Sequence, residues 1–187
     1  TAYEVGTGDW SSDVCSSDLR LYNYASDHWF MFSTPILSNG GTSRGLPISC
    51  FLNYVPDSRV GLSNHYDENI WLASSGGGIG GYWGDVRSDG ISTGNGSRST
   101  GSIPFMHVVD AEMLAFNQGT TRRGSYAAYS NISHPEIEEF INMRKSSGGD
   151  INRKNLNLHN AVNITNEFLE CVKEDKPWRL IDPKTKE

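Results

Sequence analysis

The chain has 187 residues, enough for one domain with a real core and no reason to expect two. A formal net charge of −6, with no local run of lysine or arginine, excludes the basic face that nucleic-acid binding needs, so nucleic acid is not an expected partner. No apolar run approaches the roughly 18 residues that span a bilayer, and the N-terminus has neither a basic nor a continuous apolar leader segment, so a cytoplasmic protein without a membrane partner is expected.

Residues 1–19 fit nothing that follows. Asp9 to Leu19 resembles the translation of a sequencing-adapter oligonucleotide, so 1–19 is expected to be artefactual or disordered, and 20–187 to form the domain proper. Leu21 to Phe32 has apolar positions at helical spacing, giving a short helix that Pro35 should stop. Asn39 to Gly45 is a loop by composition, and Ile48 to Tyr54 a short strand expected to be buried on both faces. Asp57-Ser58-Arg59 reads as a turn, and Asn64 to Ser74 as a helix that runs into glycine and ends. Tyr82 to Val86 is an expected strand, and Arg87 to Ser102 a loop too long to be mere connection. Ile103-Pro104-Phe105 opens an amphipathic helix through Met106, Val109 and Met113, which ends at the loop Gln118 to Ser125. Tyr126 to Tyr129 is a further strand, and His134 to Phe140 a helix start with proline and acids in its first turn. Asn155 to Ile164 alternates as a strand, Thr165 can cap a helix through Phe168, Leu169 and Val172, and Trp178 to Ile181 is a last short strand. Strand and helix alternate, which predicts an α/β fold with a largely parallel sheet.

Cysteine lies at positions 15, 50 and 171, with no CxxC, so neither a zinc cage nor a disulfide framework is suggested. The histidines share no ligand spacing, so no metal site is expected. Cys50 is either a buried small hydrophobe or a reactive thiol. Gly76 to Gly81 reads GGGIGG, neither a P-loop nor a dinucleotide fingerprint, and stays open between a tight turn and a phosphate cradle. Arg87 and the pair Arg122-Arg123 are either phosphate contacts or solvated side chains, and Glu136, Glu138 and Glu139 read as the solvated first turn of a helix.

Taken as an ordered set, Phe32-Ser33-Thr34-Pro35-Ile36-Leu37, Ser49-Cys50, Gly77-Gly78-Ile79-Gly80, Ile103-Pro104-Phe105, Gln118-Gly119, Arg122-Arg123-Gly124 and His134-Pro135-Glu136-Ile137-Glu138 resemble the large, catalytic subunit of class I ribonucleoside-diphosphate reductase. The resemblance runs from about Arg20 to the C-terminus and implies the first part of a ten-stranded α/β barrel, here incomplete. It implies a ribonucleoside diphosphate held by Thr34, Ser49, Cys50 and Gly78, with Cys50 as one of two redox-active thiols re-reduced by thioredoxin or glutaredoxin. A deoxynucleoside triphosphate or ATP effector would meet Asp57, Ser58, Arg59, Arg87 and Arg122. The specificity loop would comprise Gln118, Gly119, Arg122, Arg123 and Gly124. No cofactor is implied in the chain itself; the radical would come from a separate metal-containing subunit, and the full-length protein would be a homodimer. The radical-bearing Asn-x-Cys-x-Glu motif, the second redox cysteine, the N-terminal ATP-binding cone and the tail cysteines have no match within these residues. A fragment inactive alone is therefore expected. The rival expectations are a non-catalytic nucleotide-binding α/β module and a plain α/β protein whose Cys50 is core.

Overall fold

A computed structural model describes residues 12–43, 45–116 and 123–187. Helix α1 (Ser12–Ser26) crosses position 19 and ends before Phe32. Pro35 does not stop a helix; it opens α2 (Thr34–Asn39), because the first turn needs no proline N–H and favours its fixed φ. Strand β1 (Cys50–Tyr54) follows, then α3 (Arg59–Ser74), whose first turn is capped by Ser58 Oγ accepting from Gly61 N at 3.0 Å.

The GGGIGG run starts as a turn, with Gly76 at φ +80° closing the end of α3, and from Gly78 onward is itself strand β2 (Gly78–Tyr82), a buried central strand. Bare Cα positions there make room for neighbours. A Cβ on Gly81 would lie 1.6 Å from the Tyr126 hydroxyl, so only glycine lets that ring cross β2. β2 ends at Tyr82, and the expected strand to Val86 is instead a turn closed by Val86 N donating to Trp83 O, with Trp83 fully buried. The long segment after Arg87 is not a plain loop; it folds into an antiparallel hairpin of β3 (Asp89–Ser92) and β4 (Arg98–Thr100). Next come α4 (Ile103–Ala115), β5 (Ser125–Asn131), α5 (Ile137–Asn142), β6 (His159–Asn163) and α6 (Asn166–Lys173). Thr165 Oγ1 caps α6 by accepting from Phe168 N at 3.3 Å, as its position predicts. Trp178 to Ile181 forms no strand; it is held by Trp178 Nε1 donating to Ile132 O and Ile181 N to Ser133 O.

The main sheet has the order β1-β2-β5-β6 and is parallel throughout. One face carries Ile79, Tyr126 and Ala128 against Ala73, Met106, Val109 and Met113 of α3 and α4, and Phe140 and Met143 complete this core. The other face, with Cys50, Leu52 and Tyr54 along β1, is open, and Leu52 is 85% exposed. The expectation that β1 is buried on both faces fails because β1 is an edge strand with packing on one side only. Helices on one face and a bare second face are what one wall of a barrel requires, and the sheet is not closed among the described residues.

Candidate functional site

Strand register assembles the first part of the site. Cys50 pairs with Gly78, and Gly78 with Ser125, forming one row at the amino end of the sheet. Cys50 and Gly78, which the resemblance assigns to the substrate, therefore lie at the amino ends of β1 and β2, not at the carboxyl ends where an open parallel sheet ordinarily binds its ligand. Gly78 N donates to Ser49 O at 2.6 Å, and Ser49 Oγ lies 3.6 Å from Cys50 Sγ. Cys50 is exposed, which removes the buried-hydrophobe alternative. Gly78 leaves the floor beside the thiol without a side chain. Thr34 opens α2 with its side chain exposed, and α2 is tied to the approach to β1 by Asn39 Nδ2 donating to Leu46 O at 3.0 Å.

The second part is a cavity of about 280 Å³ in which Asp57, Ser58, Arg59 and Arg87 all take part. This is near the lower bound of roughly 300–1,000 Å³ for ligand sites. Leu62, Val86 and Phe105 give it an apolar side, and Thr93, Ser97, Arg98, Ser99 and Thr100 of the hairpin a polar one. Three arginines face one aspartate, so the lining carries an excess of two positive charges, and the N-terminus of α3 adds its partial charge. That combination suits an anion joined to an apolar group. Arg87 Nε donates to Asp57 Oδ1 and Oδ2 at 2.9 and 2.8 Å, and its terminal nitrogens to Ser92 O and Asp57 O. The Asp57 hydrogen bond raises the Arg87 pKa further, against burial.

Of the loop expected to relay between these parts, Gln118, Gly119 and Arg122 lie outside the described residues. Its end, Arg123-Gly124, runs directly into Ser125 of the Cys50 row. Arg123 and Gly124 line a further cavity of about 480 Å³ with Met113, Leu114, Arg144 and His159. A Cβ on Gly124 would meet Met113 O and Phe116 O at 2.8 and 2.7 Å, so glycine lets the loop return close to the end of α4.

Three groups escaped the sequence reading. Arg98 and its hydroxyl neighbours reach the cavity only because the Gly-rich segment folds as a hairpin, whose pairing is too short to leave an alternating pattern. Glu136 is not a solvated first-turn acid: it is buried, and its Oε2 accepts from Ser102 N and Oγ at 2.8 and 2.7 Å, supplying the cap that Ser102 itself does not give α4. Behind β2, Trp83 Nε1 donates to the Tyr126 hydroxyl at 2.9 Å, which in turn lies 3.0 Å from His65 Nε2. Asn69 Nδ2 is 3.0 Å from the same nitrogen and its Oδ1 accepts from Asn53 Nδ2. Burial pushes His65 down to about 4, and burial pushes Glu112 up to about 7 against a hydrogen bond from Asn69. Among the described residues, no group of three or more His, Cys, Asp or Glu side chains could hold a metal, and no helix is long and apolar enough to cross a membrane.

Comparison with known proteins gives consistent matches. Residues 48–187 match a family model described as ribonucleotide reductase, barrel domain. A ribonucleoside-diphosphate reductase large-subunit sequence of Frog virus 3 (isolate Goorha) is 54% identical over 166 residues, covering 89% of this chain and 28% of the relative. The ribonucleoside-diphosphate reductase subunit alpha of Helicobacter pylori (strain ATCC 700392 / 26695) is 37% identical over 166 residues, covering 88% of this chain and 21% of the relative. The solved Actinobacillus ureae class Id ribonucleotide reductase alpha subunit superposes with a TM-score of 0.69 at 30% identity, over 84% of this chain and 28% of that one. The chain thus spans less than a third of each of these proteins.

Proposed function

Since the chain belongs to the ribonucleotide reductase family, as part of the barrel domain of the large subunit, we propose that the full-length protein reduces ribonucleoside diphosphates to 2′-deoxyribonucleoside diphosphates for DNA synthesis. Thr34, Ser49, Cys50 and Gly78 contact the substrate, and Cys50 is one half of a dithiol. Two thiols each give up one electron and one proton and join as a disulfide; the 2′-oxygen leaves as water, and a hydrogen takes its place on C2′. Thioredoxin or glutaredoxin restores the dithiol by exchange. A separate metal-containing subunit supplies the radical that opens the reaction. The exposure of Cys50 beside the bare Gly78 supports this role, because a thiol must be reached both by the ribose and by the second cysteine.

A deoxynucleoside triphosphate or ATP occupies the cavity of Asp57, Ser58, Arg59 and Arg87 and sets substrate choice through Gln118, Gly119, Arg122, Arg123 and Gly124. The protein works in the cytoplasm as a homodimer. One observation carries the nucleotide assignment: residues 57–59 and 87, distant in sequence, line one cavity with an apolar side and a positive excess. Binding the folded state alone stabilises it by about 2.7 kcal/mol at a hundredfold excess over Kd. Deoxynucleoside triphosphates at that excess should therefore raise the Tm of the full-length protein, and Arg87→Ala should lose most of the rise. No rise in the wild type would rule the nucleotide site out.

A further inference from the structure

The hairpin that walls the nucleotide cavity has little of its own to hold it. β3 and β4 are four and three residues long, their register is irregular, and their outer side chains are exposed. A two-stranded ribbon of that size is not stable by itself in water. Its two ends, however, are each gripped by a buried carboxylate from elsewhere in the chain.

At the exit, Glu136 takes Ser102 N and Oγ, and Arg153 bonds both Glu139 and Thr100 O, the latter at 3.0 Å. Gly101 between them has φ +83° and no room for a Cβ, which would lie 1.7 Å from Glu136 Oε1. At the entrance stands Asp182. Its Oδ2 accepts from Ser88 N and Ser88 Oγ at 2.8 and 2.6 Å, across 94 positions of sequence. Its Oδ1 accepts from Lys184 N and Thr185 N at 2.8 and 3.0 Å. Asp182 is 3% exposed and Ser88 6%. The neighbouring Ile181 N donates to Ser133 O at 2.7 Å, tying the carboxylate to the end of the main sheet. His134 adds a second hold one step earlier: its Nδ1 accepts from Glu136 N, so Nε2–H donates to Val86 O at 2.8 Å. Arg87 sits between these two fixed points, and Asp57 takes its guanidinium.

We propose that Asp182 is a positioning residue for the nucleotide cavity: through Ser88 it fixes the entrance of the β3–β4 hairpin and, with it, Arg87 and Arg98. This rests on the reading of the cavity as a nucleotide site, but the anchoring itself does not. Charge-assisted bonds to two donors on one residue are stronger than neutral ones, and no other side chain bonds Ser88 among the described residues. Asp182 does not line the cavity; it reaches the site through its bonds to Ser88 and through its charge, which favours the Arg87 cation.

Hydrogen exchange of the full-length protein, with and without dTTP, tests the proposal in wild type, Asp182→Asn and Ser88→Ala. Asparagine keeps the size and the Oδ1 acceptor but faces Ser88 N–H with an amide or a weaker acceptor. In both variants amides of residues 89–100 should exchange at least tenfold faster, with α4 and β5 unchanged. The dTTP Kd should weaken about tenfold in each, and because Ser88→Ala leaves the Ser88 N–H bond to Asp182 in place, the double variant should be no worse than Asp182→Asn alone, which a general loss of stability would not produce. Unchanged exchange at 89–100 in Asp182→Asn overturns the proposal. Should dTTP fail to slow exchange of the wild-type hairpin, the nucleotide reading fails, and the variant comparison still decides the anchor.

Discussion

Cys50 and Glu112 show how differently single residues can be read. The sequence left Cys50 open between core and reactive thiol, and its position on an edge strand whose outer face has no packing makes it exposed rather than core. Asp57, Ser58, Arg59 and Arg87 were identified from the family resemblance, and the fold does bring them to one cavity. Glu112 left no such signal, since an acid in the middle of an amphipathic helix looks solvated until the partner face is known. It lies buried, with Oε2 unpartnered among the described residues, and is pushed up to about 7 from an ordinary 4.5. The native state therefore holds this proton more tightly than the unfolded chain does. Its contribution is fully present below pH 4.5 and is lost as pH rises through 7. His65 works the other way, losing stability as pH falls from 6.5 through about 4, and does so in wild type and variant alike. Glu112→Gln keeps the neutral form at every pH. The Tm difference, variant minus wild type, should be near zero at pH 5 and positive at pH 8; a difference independent of pH would show that Glu112 is ionised in the fold.

Among the elements, those with strong local signals were legible and those defined by tertiary contact were not. Helix α4 and strand β5 were anticipated to within a few residues, and α3 and β6 in kind and place, because apolar spacing and turn residues mark them, although α3 already begins at Arg59, where a turn was expected, and β6 only at His159. The glycine strand β2 was not, since it has almost no side chains to alternate and takes its place from β1 and β5 on either side. The hairpin was missed because its pairing is too short to leave an alternating pattern; the supposed strand at Tyr82 to Val86 owes its apolar character to the buried Trp83 and Val86, and that at Trp178 to Ile181 to a half-buried indole with Leu180 and Ile181 exposed. The clearest local signal was the cap of α6. Thr165→Ala should cost about 1 kcal/mol, the ordinary worth of an N-cap hydroxyl, measured as a shift in denaturation midpoint; the T-shaped contact of Phe168 with Trp178, ring centroids 5.2 Å apart, should loosen with it. No change in either would mean that α6 is held by packing alone.

For the whole molecule, the sequence predicted a parallel α/β arrangement and a partial barrel, and the four-stranded sheet with helices on one face agrees with both. What composition could not convey is how much of the second face is left bare. β1 and β6 each end the sheet, and Leu52, Tyr54 and Cys50 line the open side. Exposed strand edges pair with other chains. Residues 20–187 prepared alone should therefore self-associate on sedimentation, whereas the full-length protein should not do so through this face; a stable monomer of the segment would show that the face needs no cover.

The most direct test of the central claim is turnover by the full-length protein carrying Cys50→Ser, supplied with its radical-generating subunit and a ribonucleoside diphosphate. The wild type should form deoxynucleotide repeatedly with thioredoxin as reductant, and the variant should form none beyond background while binding substrate within about threefold of the wild type. Sustained thioredoxin-dependent turnover by the variant would contradict the assignment of Cys50 as a redox-active thiol.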